Sequence, residues 1–264
     1  MSIARGESFI DQSLHIPKEV GIEEQRIESS VFNLEKYSLP EILKPEHCAL
    51  LVVDMQNDFL DQNGYFAQRE RSIEQMQSIV PYIQTLIGAA RKSGVPIIFT
   101  KGYEDVKFRK GPDLRRAVKW EENDNDGSVN SQSGTWGSEF YKDIEPQTSD
   151  IVIEKHKWSA FSGADKENKS LKQILDDLGV KTLVIAGVVA ETCLETSIRD
   201  AYDEDYFVVI PEHSVGSNNA KQLEARMEYW KSGFIGDVVE EQEIAEIWKS
   251  EKPIADVGNN DPLN

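Results

Sequence analysis

Short, unbroken apolar runs alternate along this chain with longer stretches in which apolar residues recur every three to four positions. The first run, 48–54 (CALLVVD), is ended by an acid. A run of that kind marks a strand buried on both faces of a parallel sheet. Between 73 and 92, Ile73, Met76, Ile79, Val80, Ile83, Leu86, Ile87 and Ala90 share one helical face, and Gly94 supplies the stop. Residues 95–100 (VPIIFT) read as the next strand, so the opening unit is β-α-β with a crossover helix, which requires parallel strands. The same reading places strands at 151–154, 182–187, 207–210 and 237–239, and helices near 169–178, 192–204, 220–231 and 241–249. This alternation predicts a doubly wound, three-layer α/β/α domain with a mainly parallel central sheet, spanning residues 46–250.

The flanks read differently. Residues 1–45 are polar and weakly periodic, with Pro17, Pro40 and Pro45. They are expected to be an N-terminal extension that packs on the domain surface or reaches a neighbouring subunit, being too short to bury a core. The tail, 251–264, is expected to be loose. Residues 102–149 form a long irregular stretch, charged and then glycine- and serine-rich, with Trp120 and Trp136 embedded. A loop of this length is either a functional lid or a surface insertion.

Composition narrows the partners. Acidic residues outnumber basic ones 47 to 29, giving a net charge of −18, so a nucleic-acid partner, which needs a basic face, is excluded. Only Cys48 and Cys193 are present, too few for a disulfide framework, which points to a reducing compartment. The N-terminus carries no apolar leader and no run approaches membrane-spanning length, so a cytoplasmic protein without a membrane partner is expected.

In doubly wound sheets, sites form at the carboxyl ends of the strands. That rule singles out Asp54 after the first strand, Lys155 after IVIE, and Cys193, which opens a helix just beyond LVIAG. Each alone has an ordinary structural reading: a loop cap, a solvated strand end, a core thiol. Together they make an activated nucleophile, because a lysine ammonium and a helix N-terminus favour a thiolate and an aspartate can take the thiol proton. Lys157 competes with Lys155, lying two residues on and therefore on the same strand face.

At LLVVDMQNDF, VIEKHKWSAF and GVVAETCLETSIRDAY, over about residues 46–240, the chain resembles the isochorismatase-like cysteine hydrolases. That family includes nicotinamidases, N-carbamoyl and ureido amidohydrolases, and isochorismatases. The resemblance implies a catalytic triad of Asp54, Lys155 and Cys193, with an oxyanion hole formed by the amides of Val189 and Cys193 after a cis peptide bond. It favours Lys155 over Lys157, which it puts at the site mouth. Where the family pattern usually has Thr, this chain has Ala190. Phe59, Tyr65, Trp158 and Phe161 are candidate substrate-binding walls, each with core packing as the alternative. Lys107, Arg109, Lys110, Arg115 and Arg116 could meet a substrate carboxylate or simply balance an acidic surface.

Nicotinamidases of this family bind a metal through an Asp-x-His element after the second strand, and the matching stretch here, TKGYEDVKF, has no histidine. The four histidines (His15, His47, His156, His213) offer no pair at ligand spacing, and strand alternation turns His156 away from the site. No phosphate loop or dinucleotide fingerprint occurs, so neither metal nor organic cofactor is expected. The expectation is a metal-independent cysteine amidohydrolase acting on a small ureido or carboxamide substrate through a thioester, with release of ammonia. The alternatives are an isochorismatase releasing pyruvate from a vinyl ether, or a catalytically idle binding protein. By resemblance, a homodimer or homotetramer is expected.

Overall fold

The apolar run that opens the domain forms β1 (Cys48–Val53), and every residue in it is buried. In a computed structural model, which describes residues 37–121 and 129–250, six further strands follow. They are β2 (Ile97–Gly102), β3 (Ile151–Lys155), β4 (Thr182–Val188), β5 (Phe207–Pro211), β6 (Val215–Gly216) and β7 (Asp237–Val239). The sheet order is β3-β2-β1-β4-β5-β7, with β6 paired to the end of β4. All the paired strands run parallel, as the crossover pattern requires.

Strand alternation sends successive side chains to opposite faces, and two cores result. Leu50, Val52, Val184 and Ala186 pack on one face with the helices Val80–Ser93 and Glu241–Ser250, where Trp248 is fully buried. Ala49, Leu51, Val53, Leu183 and Ile185 pack on the other with Leu171–Asp177, Glu195–Asp203 and Ala220–Lys231, where Trp230 is fully buried. Each fully buried aliphatic side chain contributes on the order of 1.5–3 kcal/mol, so both layers are driven onto the sheet. The architecture is the expected three-layer α/β/α.

Three local features differ from the sequence reading. The helix expected over 73–92 is two helices, Glu74–Ser78 and Val80–Ser93, which meet at Ile79. Pro81 is the cause, since it lacks an amide hydrogen and its ring crowds the preceding turn. The second helix ends at Gly94, whose φ of 74° lies in the left-handed region. The stretch 102–149 is not wholly irregular: it contains the helix Gly111–Glu121 and short 3-10 turns at Val106–Phe108 and Trp136–Ser138, while 122–128 lie outside the described residues. The two-residue strand β6 had no periodic signal to find.

Of the expected N-terminal extension, residues 1–36 lie outside the described residues, as does the tail 251–264. Residues 38–45 pack on the domain: Leu43 is fully buried, and the Ile42 carbonyl accepts hydrogen bonds from the Thr182 hydroxyl and the Cys48 thiol. No helix among the described residues is long and apolar enough to cross a membrane.

Candidate active site

The sheet order reverses direction between β1 and β4, and the crevice there is where doubly wound folds place ligands. Asp54 follows β1 directly. It is 1% exposed and takes a positive φ of 49°, which turns the chain sharply out of the strand. Thr100, on β2, fixes its orientation twice, accepting the Asp54 amide hydrogen at 3.1 Å and donating its hydroxyl to Oδ1 at 2.6 Å. The other carboxylate oxygen, Oδ2, accepts from Lys155 Nζ at 2.7 Å.

Lys155 ends β3, which is not a neighbour of β1; β2 lies between them. The lysine therefore reaches across the end of β2, and the residue it crosses is Gly102. A Cβ at that position would sit 3.2 Å from Asp54 Oδ2 and 3.3 Å from Lys155 Nζ, so the absent side chain is what lets the pair close. Lys155 is 1% exposed, and Nζ also donates to the Lys157 carbonyl at 3.1 Å. Burial pulls this ammonium down, but Asp54 and Cys193 outweigh it and hold its pKa above the ordinary lysine value.

Cys193 arrives from β4. Gly187 closes against β1, with a φ of 123° and a position where a Cβ would lie 2.2 Å from the Val53 carbonyl oxygen, so only glycine fits. The Val188–Val189 peptide bond is cis, as the resemblance implied. A π-helical turn, Ala190–Leu194, then leads into the helix Glu195–Asp203. The Val189 carbonyl is held inside this turn by the Thr192 and Leu194 amides, at 3.0 and 3.3 Å. The thiol lies close enough to the Asp54 carboxylate and the Lys155 ammonium for each to shift its ionisation. The structure thus brings all three expected corners together.

One expectation about the thiol changes. Burial pushes Cys193 up to about 12; Lys155 pulls in the opposite direction, and Asp54 adds to the upward shift. The site thus favours the neutral thiol over the thiolate that the lysine and helix N-terminus led us to expect. The neighbouring negative charge and the buried setting exceed what the lysine and helix dipole supply.

Several residues that build the site carried no signal in the sequence. Gln56 is fully buried and grips both backbone groups of Gly102: its amide donates to the Gly102 carbonyl at 3.1 Å and its carbonyl accepts the Gly102 amide hydrogen at 2.9 Å. It also donates to the Ser138 carbonyl at 2.9 Å. Asn57 donates to the Trp136 carbonyl, and Asp58 accepts from the Ser131 and Tyr65 amides. The polar triplet after β1 therefore pins the long loop beside Asp54. Ser197 does the same between the other two corners, donating to the Cys193 carbonyl at 2.7 Å and accepting the Ala160 amide hydrogen at 2.9 Å.

A cavity of about 380 Å³ is lined by chain neighbours of Gly102, Lys155 and Cys193, though not by Asp54, Lys155 or Cys193 themselves. Its walls begin at Tyr103, next to Gly102, and include His156 and Lys157, next to Lys155, and Thr196, one turn beyond Cys193. Trp158 lines it. Phe59, Tyr65 and Phe161 are not among the lining residues: Phe59 packs edge-on against Phe66 in the core, Tyr65 lies under the Arg69 guanidinium, and Phe161 packs toward Tyr206. His156 does line the cavity, contrary to the strand-alternation argument, because β3 ends at Lys155 and the chain turns. Its ring stacks on Phe108 at 3.7 Å. Of the five basic residues in the long loop, Arg109 and Arg116 line the cavity, whereas Lys107, Lys110 and Arg115 are exposed. Lys157 stands at the cavity wall, paired with Asp113 of the helix Gly111–Glu121. Among the described residues, ligand atoms of Glu212, His213 and Glu240 approach closely enough to hold a cation, but none of the three lines this cavity, and Glu212 is already paired with Lys231.

A sequence model of the isochorismatase domain matches residues 48–242. The ureidoacrylate amidohydrolase RutB of Enterobacter sp. (strain 638) is 30% identical over 190 residues, which cover 67% of this chain and 80% of that protein. Its namesake from Acinetobacter baylyi is 27% identical over 224 residues, covering 81% and 88%. Among solved structures, a cysteine hydrolase from Pseudomonas syringae pv. phaseolicola 1448A superposes with a TM-score of 0.65 at 22% identity, covering 78% of this chain and 94% of that one. The N-carbamoylsarcosine amidase from Thermoplasma acidophilum superposes with a TM-score of 0.57 at 24% identity, covering 74% and 96%. At these identities the structural likeness is one of fold.

Proposed function

This chain belongs to the isochorismatase domain family, and on that footing we propose that it is a cysteine amidohydrolase cleaving a carbon–nitrogen bond of a small ureido or carboxamide compound. The observation that carries this reading is the buried Lys155–Asp54 ion pair, 2.7 Å long, whose two charges both act on the Cys193 thiol. Relatives with the printed activity of ureidoacrylate amidohydrolase support the bond class.

The reaction follows from the electrostatics. Because the thiol is neutral at rest, its proton must leave as sulfur attacks the carbonyl carbon, and the Asp54 carboxylate is placed to take it. Lys155 stays charged and offsets the negative charge that develops on the substrate and sulfur. The amides of Val189 and Cys193 are the proposed donors to the tetrahedral oxyanion. As the intermediate collapses, the carbon–nitrogen bond breaks, Asp54 returns the proton to nitrogen, and ammonia leaves. The remaining acyl or carbamoyl thioester is hydrolysed by water, with Asp54 accepting the water proton and the thiol reforming. No step here needs a metal or an organic cofactor.

The test is an ammonia-release screen of the purified protein over ureido acids, biuret-like compounds and simple carboxamides, repeated with Cys193→Ala. The expected outcome is release by the parent and a loss of about a thousandfold or more in the variant, with an unchanged far-ultraviolet circular dichroism spectrum. Ammonia release by a folded Cys193→Ala protein would overturn the reading. So would pyruvate release from isochorismate, without ammonia and insensitive to loss of the thiol.

A further inference from the structure

Just beyond Gly102, at the carboxyl end of β2, Glu104 connects the cavity to the nucleophile. It lines the cavity, and of the residues that do so its charge acts most strongly on the Cys193 thiol. The backbone around it is fixed. The Tyr103 amide donates to the Lys155 carbonyl at 2.8 Å, the Glu104 amide donates to the Ser131 carbonyl at 3.3 Å, and the Glu104 carbonyl accepts from Arg109 Nε at 3.1 Å. The carboxylate is held on one side only. Arg116 and Arg109 both approach Oε2, at 2.8 and 3.4 Å, and Oε1 accepts from no described residue. The side chain is 25% exposed and so is open to a ligand. The other two carboxylates of the cavity differ: Asp105 has Oδ1 taken by the Ser133 amide and Oδ2 buried, and Asp113 is paired with Lys157. Glu104 also works against the thiol, since its charge adds to the upward shift of Cys193. A negative charge that hinders a nucleophile is compensated where it meets a donor on the bound molecule.

We propose that Glu104 is the residue with which this site selects nitrogen over oxygen: Oε1 accepts an N–H from the nitrogen bonded to the reacting carbonyl. An ester has an oxygen without hydrogen at that position and sets a lone pair against the carboxylate, so amides and ureas are held in preference to esters. A site built to accept an N–H rejects the analogue that lacks one, because the acceptor stays unmatched. The inference rests on the amidohydrolase reading for which carbonyl reacts, and it adds the group that tells a carbon–nitrogen bond from a carbon–oxygen bond. Glutamine at this position would reverse the pattern. The two arginines need an acceptor, so its carbonyl oxygen takes their side and its amide nitrogen, a donor, faces the open one.

Alkylation of Cys193 in the full-length protein tests this without turnover. Iodoacetamide and methyl iodoacetate are both neutral and differ in bearing an amino or a methoxy group on the carbonyl. Each rate at Cys193 is read by peptide mass and divided by the rate of the same reagent with N-acetylcysteine. On this scale the parent is expected to prefer iodoacetamide about tenfold, and Glu104→Gln and Glu104→Ala to lose that preference. Loss of the Glu104 charge makes the thiol easier to ionise and speeds both reagents, which cancels in the ratio; a purely structural role for Glu104 would leave the ratio unmoved. If Glu104→Ala does not fold, Glu104→Gln, which keeps an acceptor for the arginines, carries the comparison. A parent without preference, a preference undiminished in the folded variants, or no alkylation of Cys193 by either reagent overturns the proposal. Ammonia release from amides by the unsubstituted protein is measured separately. A selective thiol without ammonia release sinks the amidohydrolase reading and leaves Glu104 as the N–H acceptor; ammonia release by a protein without the preference does the opposite.

Discussion

At Gly102 the catalytic proposal depends on a side chain that is not there. Its Cα lies at the crossing point of the Asp54–Lys155 pair, with an added Cβ only 3.2–3.3 Å from the two paired atoms. Gly102→Ala is therefore expected to move the pair by a few tenths of an ångström and lower kcat about tenfold, with KM and the melting temperature little changed, because small misplacements of reacting groups are costly. Steady-state kinetics beside a thermal melt would check this, and an unchanged kcat would count against the pair's role. The convergence of Asp54, Lys155 and Cys193 was legible in the sequence because each follows an apolar run, where the fold class says sites form. Gly102 was not legible, since its function is the space it leaves. Phe59, Tyr65 and Phe161 show the opposite limit: an aromatic residue near a site motif has the same appearance whether it lines a cavity or packs in a core, and only the observed contacts separate Trp158 from the other three. The upward shift of the Cys193 thiol was also beyond reach, as it arises from burial and a carboxylate brought from another strand.

Among the elements, strands were read well because β1 and β4 are buried on both faces and appear as unbroken apolar runs. The helix Gly111–Glu121 was missed because Asp113, Arg115, Arg116 and Lys119 crowd a segment that opens with Gly-Pro, which reads as a loop. Pro at the first turn is compatible with a helix start, and Leu114, Ala117 and Val118 do fall at helical spacing; the signal existed but was short. Pro81 was the reverse case, inside a convincing apolar period yet opening a second helix. This missed helix matters for function, since it carries Asp113 and Arg116 to the cavity wall opposite Lys157 and Trp158. The loop after β1 is tied to the later part of the same long stretch by Gln56, Asn57 and Asp58, whose buried side chains bond the Ser138 and Trp136 carbonyls and the Ser131 amide. Such side-chain-to-backbone bonds have no periodicity, so pattern reading passes over them.

For the whole molecule, the two cysteines and Lys155 set a pH dependence with one sign. Burial raises Cys48 to about 12, and Cys193 is likewise raised to about 12, whereas unfolded thiols ionise near the ordinary value of 9.0. Between those values the unfolded chain gives up protons that the folded chain keeps, so stability falls as pH rises from about 9 toward 12. Lys155, also raised, adds to the fall once pH exceeds the unfolded lysine value of 10.5. Urea midpoints from pH 8 to 10.5 should therefore decline, and the decline should be shallower in Cys48→Ala, which removes a buried thiol away from the site; parallel slopes would contradict this. The central claim, that the Asp54–Lys155–Cys193 group performs covalent hydrolysis, is tested most directly by acid-quenching the protein during turnover of a substrate that releases ammonia and mapping its peptides by mass. The account predicts an acyl or carbamoyl adduct on the peptide holding Cys193 and none on that holding Cys48; sustained ammonia release with Cys193 unmodified at every quench time, and undiminished in Cys193→Ala, would contradict it.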